Sequence, residues 1–159
     1  MICIVSDTHE NIPLIRLALP GMKALNPTLV IHCGDIVSPV ILDEFKGLPM
    51  RFVFGNNDIE RENLRKKAQT LGFGEIDDEL VLSVDDKDLY ITHGTRASAV
   101  DRKIDSQLYD YVFHGHTHQR RNEKIGRTRV INPGALYHAS IYTFASLEVG
   151  SGEVQFHEV

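Results

Sequence analysis

The 159-residue sequence has no tryptophan, only two cysteines, and no apolar run long enough to cross a bilayer. Cys3 and Cys33 both sit inside apolar stretches. Free buried thiols are therefore expected in preference to a disulfide. Positive charge is also scarce. The 17 Lys and Arg residues face 22 Asp and Glu, for a net charge of −5. A general electrostatic grip on nucleic acid or on an anionic membrane is not expected. No linker, repeat or low-complexity tract divides the chain, and it opens directly on an apolar strand without a charged leader. These absences imply one domain, residues 1–159, in the cytoplasm, with a core drawn from the 42% of residues that are hydrophobic.

Histidine, by contrast, is plentiful: there are eight, most of them in or beside a few short segments. His114-Gly-His-Thr-His118 follows the apolar run Tyr111-Val-Phe113. His116 and His118, two residues apart at a strand end, can turn their ring nitrogens into one small volume, as a divalent transition metal requires. Four other segments repeat this pattern. Asp7-Thr-His9 follows Ile2 to Val5, Gly34-Asp35 follows Leu29 to Cys33, Gly55-Asn56-Asn57-Asp58 follows Phe52 to Phe54, and His93-Gly94 follows Leu89 to Ile91. Each is a buried strand, a tight turn and then a metal-capable residue. In open α/β sheets, ligands bind beyond the carboxyl ends of the strands.

The intervening sequence reads as β-α-β-α-β with parallel strands. A helix is expected over Ile12–Leu25, with Asn11 as cap, Pro13 in the first turn and Ile15, Leu19 and Met22 inward. Pro20 should bend or interrupt it. Further helices are expected over 39–45, 60–71 and 99–108, and strands over 28–33, 51–54 and 111–113. Asp85 to Asp88 reads as a hairpin turn between strands 80–84 and 89–92. Two more hairpins, around Gly126-Arg127 and Gly150-Ser-Gly152, give an α/β first half and a β-rich second half that share one core.

Asp7, His9, Asp35, Asn56, His93, His116 and His118 offer more ligands than one tetrahedral ion can use. They suit two ions that share a carboxylate, and the mixture of imidazole, carboxylate and amide fits manganese, iron, nickel or zinc better than calcium or magnesium alone. Two divalent ions, two aspartates and a bridging hydroxide leave the pocket positive in an acidic protein. A metal-bound water with its pKa lowered to near 7 would be a nucleophile at neutral pH. Hydrolysis of an anionic phosphoester is the natural reaction class.

The motifs Asp7-x-His9, Gly34-Asp35, Gly55-Asn56-x-Asp58, His93-Gly94 and Gly115-His116-x-His118, in this order, resemble the motif series of the calcineurin-like metallophosphoesterases. The length, the Gly-Asn-x-Asp form and Asn132-Pro-Gly134 resemble the small YfcE/MJ0936-type phosphodiesterase branch. The resemblance covers about residues 2 to 134. It implies a four-layer α/β/β/α sandwich of two mixed sheets with a dinuclear centre at one edge. One metal would take Asp7, His9, Asp35 and His118, and the other Asp35, Asn56, His93 and His116, with Asp35 bridging. The implied cofactors are two divalent ions, manganese or nickel foremost, with iron, zinc or magnesium as alternatives. The implied substrate is a small phosphodiester, a nucleotide among the options, with no stable nucleic-acid complex and no membrane partner; a homo-oligomer stays open.

Two departures qualify the resemblance. Many relatives carry a histidine where this chain has Asn57, which cannot protonate a leaving group. Activated phosphodiesters should therefore be hydrolysed well above alkyl phosphomonoesters. Ala135 to Ser140 lacks the Pro-Arg pair of some relatives. Asp35, Asn56, Asn57 and Asp58 are the candidate catalytic positions; Asp58 either holds a histidine ligand or water in place, or caps a helix. His114 is either a substitute acid or a plain strand-end histidine. His32 reads as a satisfied core residue and His157 as structural. Tyr137 and His138 could line a pocket. The charges of residues 60–71 read as a solvated helix face. Arg120, Arg121, Lys124, Arg127 and Arg129 read as a solvated ribbon that could also guide a nucleotide phosphate. Two other functions stay open: a non-catalytic scaffold like the retromer subunit VPS29, and a phosphomonoesterase or protein phosphatase. The intact ligand set favours the enzyme over the scaffold.

Overall fold

Ile2-Cys-Ile-Val5 is apolar at every position, and the strand it forms, β1 (Ile2–Val5), is buried on both faces. In the computed structural model, which describes residues 1–159, the chain continues through α1 (Ile12–Ala24), β2 (Leu29–His32), α2 (Ile41–Glu44), β3 (Met50–Phe52) and α3 (Arg61–Leu71). It then forms β4 (Glu79–Val84), β5 (Lys87–Thr92), α4 (Ala97–Asp105), β6 (Tyr111–Phe113), β7 (Arg121–Ile125), β8 (Thr128–Asn132), β9 (Thr143–Glu148) and β10 (Glu153–Glu158). One mixed sheet has the order β10-β9-β1-β2-β3, the other β4-β5-β6-β8-β7.

Strand alternation assigns each side chain to a layer. In the first sheet Cys3, Val5, Val30, Met50 and Phe52 pack against Ile15 and Met22 of α1, Ile41 and Leu42 of α2, and Leu64 and Ala68 of α3. The intervening residues Ile2, Ile4 and Ile31 face the other sheet and meet Leu89, Ile91, Tyr111, Phe113 and Ile131. The outer face of that second sheet, Tyr90, Val112 and Val130, is covered by Val100 and Ile104 of α4. The layers are therefore helix, sheet, sheet, helix, as the family resemblance implies.

Several sequence-based boundaries shift. Helix α1 is not interrupted at Pro20, because Pro20 is exposed and the Arg16 carbonyl it leaves unpaired lies on a water-facing turn. Helix α4 starts two residues earlier than expected and stops at Asp105. Beyond it Gln107 turns to φ +54° and its side chain donates to the Ile104 carbonyl at 2.7 Å. Only Asp85 and Asp86, at φ +51° and +59°, form the hairpin turn, while Lys87 and Asp88 already belong to β5. The α/β and β-rich halves are not segregated either. Strands β5, β6 and β8 run parallel in the second sheet, and the β9–β10 hairpin returns to pair antiparallel with β1 in the first.

Candidate metal centre

Strands β1, β2 and β3 of one sheet and β5 and β6 of the other end at the same edge of the sandwich, and each is followed by one of the five turns that carry candidate ligands. Backbone hydrogen bonds tie these turns together. Asp7 N–H donates to the Gly34 carbonyl at 3.0 Å, and His9 N–H to the Asp35 carbonyl at 2.9 Å. His116 N–H crosses between the sheets to Asp7 Oδ2 at 3.1 Å. Five residues in these turns adopt the left-handed backbone region: Asp7 (φ +51°), His9 (+45°), Asp35 (+59°), His116 (+68°) and His118 (+57°). Such conformations cost roughly 1–2 kcal/mol each outside glycine, and their concentration at one edge marks a site held against local preference. Gly115 makes the close approach possible: a Cβ there would overlap Ser6 Oγ and Asp7 Oδ2.

The side chains meet as two overlapping groups, Asp7 with His9 and His118, and Asp7 with Asp35 and His93. His118 Nε2 lies 3.2 Å from Asp7 Oδ1, and His93 Nε2 lies 3.3 Å from Asp35 Oδ2 and 3.8 Å from Asp7 Oδ1. His9 Nε2 is 3.6 Å from Asp35 Oδ2. The His116 ring stands edge-on to His93, with centroids 5.2 Å apart. Asn56 is on the exposed rim, where its Oδ1 accepts from Thr95 Oγ1 at 3.3 Å.

The tautomers are fixed from outside the cluster. His93 Nδ1 donates to the Cys33 carbonyl at 2.7 Å and His118 Nδ1 to the His138 carbonyl at 3.2 Å, since a carbonyl can only accept. With neutral rings, both Nε2 atoms then present lone pairs to carboxylate oxygens. Asp7 Oδ1, His9 Nε2 and His93 Nε2 are buried without a hydrogen-bond partner. Acceptors converging on acceptors are satisfied by a cation, and imidazole with carboxylate is a donor set suited to transition metals.

The carboxylates dominate the local field, which favours added positive charge, whether a proton on a ring or a metal ion. Burial works against a charged His93, yet Asp35 and Asp7 outweigh it and raise its pKa. Asp7 raises His118 likewise, whereas burial lowers His9. Burial also opposes the charge on Asp35, but His93 and Asn57 hold its carboxyl below the usual range. Asn57 supplies two of those contacts, its backbone N–H to Oδ1 at 2.8 Å and its Nδ2 to Oδ2 at 2.7 Å.

Asp58 is neither a helix cap nor a partner of a histidine ligand. Its buried carboxylate accepts backbone N–H bonds from Asp35 (3.0 Å), Ile36 (2.7 Å), Val37 (2.6 Å) and Gly55 (2.6 Å), which binds two ligand-bearing turns to each other. His32 is a satisfied core residue: Gly34 N–H donates to Nδ1 at 3.2 Å, and Nε2 bonds Thr8 Oγ1 at 2.9 Å. His114 is buried behind the site, with Nδ1 near the Asn132 amide and Nε2 unpaired. Tyr137 lies against the His9 ring at 4.2 Å and stacks on His138. His157 bonds Ser146 and stacks on Phe144. Most of the basic hairpin is neutralised, Arg120 by Glu158, Arg121 by Glu123 and Arg127 by Asp110. No local signal marks the carbonyls of Cys33 and His138, because only tertiary contact assigns them. Ser6, whose hydroxyl donates to Asp7 Oδ2, could have been suspected from its adjacency.

Known proteins share this fold. A curated relative, phosphodiesterase MJ0936 of Methanocaldococcus jannaschii, is 41% identical over 134 residues, which cover 82% of this chain and 81% of the relative. The solved structure of an archaeal phosphodiesterase superposes with a TM-score of 0.94 at 37% identity and covers 99% of both chains. Zinc-complexed Vps29 from Entamoeba histolytica shares the fold alone, with a TM-score of 0.70 at 17% identity over 99% of this chain and 97% of its own. The family model of the calcineurin-like phosphoesterase superfamily domain matches residues 1–152, and it is to that superfamily that the chain belongs.

Proposed function

We propose that the protein is a metal-dependent phosphoric diester hydrolase. One domain, residues 1–159, would work in the cytoplasm on a small phosphodiester. Asp7, His9, Asp35 and His118 would hold one divalent ion, and Asp35, Asn56, His93 and His116 a second, with manganese or nickel the foremost candidates. Such ions, when bound, supply Lewis acidity that lowers the pKa of water and neutralises phosphoryl charge. The protein's own part is to orient and hold. The Cys33 and His138 carbonyls keep protons on the Nδ1 atoms of His93 and His118, so that each Nε2 remains a ligand. Asn57 fixes both oxygens of Asp35. It cannot donate a proton to a leaving group and stay intact, so esters with good leaving groups should be preferred.

The single observation behind this reading is the convergence of buried, partnerless acceptors from Asp7, His9 and His93. The test is to strip the protein with chelator, restore manganese, nickel, zinc or magnesium singly, and assay bis(p-nitrophenyl) phosphate beside p-nitrophenyl phosphate. Diester hydrolysis should return only with metal and exceed monoester hydrolysis, and Asp35→Asn should lower it by about 10²–10³-fold. Full activity in chelator, or in the Asp35→Asn variant, would refute the proposal.

A further inference from the structure

A cleft of about 510 Å³ borders the metal centre and shares two of its candidate ligands, Asn56 and His93, as wall residues. Its charged lining is Arg61, Arg96, Arg102, Asp78 and Glu79. Both acids are already engaged: Asp78 pairs with Arg61 at 2.8 Å, and Glu79 with Lys103 at 3.6 Å. Arg96 and Arg102 have no carboxylate partner and no side-chain hydrogen bond, although the protein as a whole carries −5. Helix α4 begins on the same wall with no side-chain cap and no acid in its first turn, so its positive end adds to the field there. Two free guanidinium forks in a cleft of nucleotide size, continuous with a site for phosphorus chemistry, are suited to a phosphate in bidentate geometry. Hydrolysis of a simple diester leaves them without a role.

We infer that the Arg96/Arg102 cleft is a second anion subsite, which selects phosphodiesters that carry another phosphate elsewhere in the molecule. This rests on the diester-hydrolase reading of the adjacent centre.

Two esters with the same leaving group and nucleoside test it: thymidine 5′-(p-nitrophenyl phosphate) with and without a 3′-phosphate. The manganese-loaded wild type should prefer the 3′-phosphorylated ester by about tenfold in kcat/KM, and the preference should shrink as salt rises. In the double variant Arg96→Ala/Arg102→Ala the ratio should fall to near one, with Arg102→Ala alone intermediate. A wild-type ratio near one, or a preference that the double variant retains, would overturn the inference. Calorimetric titration separates its fate from that of the hydrolase reading. If neither ester is cleaved but wild type binds thymidine 3′,5′-bisphosphate more tightly than the 5′-monophosphate, and the double variant does not, the subsite stands and the hydrolase reading falls. Equal binding of both ligands by wild type would remove the subsite.

Discussion

Both oxygens of Asp58 are consumed by backbone N–H groups from the turns that carry Asp35 and Asn56, which makes it a positioning residue. Asp58→Asn would set an amide N–H₂ against some of those donors. It should cost about 1–3 kcal/mol of stability in urea unfolding and weaken manganese binding by roughly 10–100-fold in calorimetric titration. Unaltered metal affinity would mean the turns hold their geometry without it. His32 makes a different prediction. Burial lowers its pKa from 6.5 to about 3. Between those values the unfolded chain binds a proton that the folded protein refuses, so the stability contribution is full above pH 6.5 and is lost as pH falls. Each pH unit below 6.5 should cost about 1.4 kcal/mol through this group. His32→Gln, which keeps a donor for Thr8, should flatten the decline of metal-free stability between pH 7 and 5. An unchanged slope would assign the decline elsewhere.

At the scale of elements, Pro20 offers the cleanest test. It withholds one intrahelical hydrogen bond in the middle of α1 while facing solvent. Pro20→Ala should therefore raise stability, by about 1–2 kcal/mol once the greater freedom of the unfolded chain is set against the restored bond. A lower urea midpoint would show that the proline is compatible with this helix as it stands. Most elements were legible because their signals are local. Continuous apolar runs marked the buried strands, and Ile15, Leu19 and Met22 marked the inner face of α1. The end of α4 was not legible, since Gln107 ends it by tertiary bonds to the Ile125 carbonyl and the Arg127 N–H. Nor was the parallel pairing of β6 with β8, because pairing direction is set by the path of the chain between strands, not by their composition.

For the whole molecule, the coupling that matters is between the candidate metal centre and the joining of the two sheets. His93 and His116 come from one sheet, and Asp7 and Asp35 from the other, so ions held between them would cross-link the sandwich. Bound metal stabilises only the folded state, by about 2.7 kcal/mol at a hundredfold excess over Kd. The Tm of chelator-treated protein should accordingly rise with added manganese or nickel, and Asp35→Asn should blunt the rise. A Tm indifferent to both metals would argue against a site between the sheets. No helix is long and apolar enough to cross a membrane.

The sequence by itself determined the kinds of side chain at the site and their placement just beyond apolar strands, because strand burial and turn chemistry are written in neighbouring residues. The order of the strands, the left-handed backbone at five candidate ligand positions, the tautomers of His93 and His118, the anchoring role of Asp58 and the Arg96/Arg102 cleft were decided only by the tertiary structure. Each depends on groups brought together from opposite sheets or distant turns, and no local pattern in the chain encodes which carbonyl, amide or carboxylate will be waiting there.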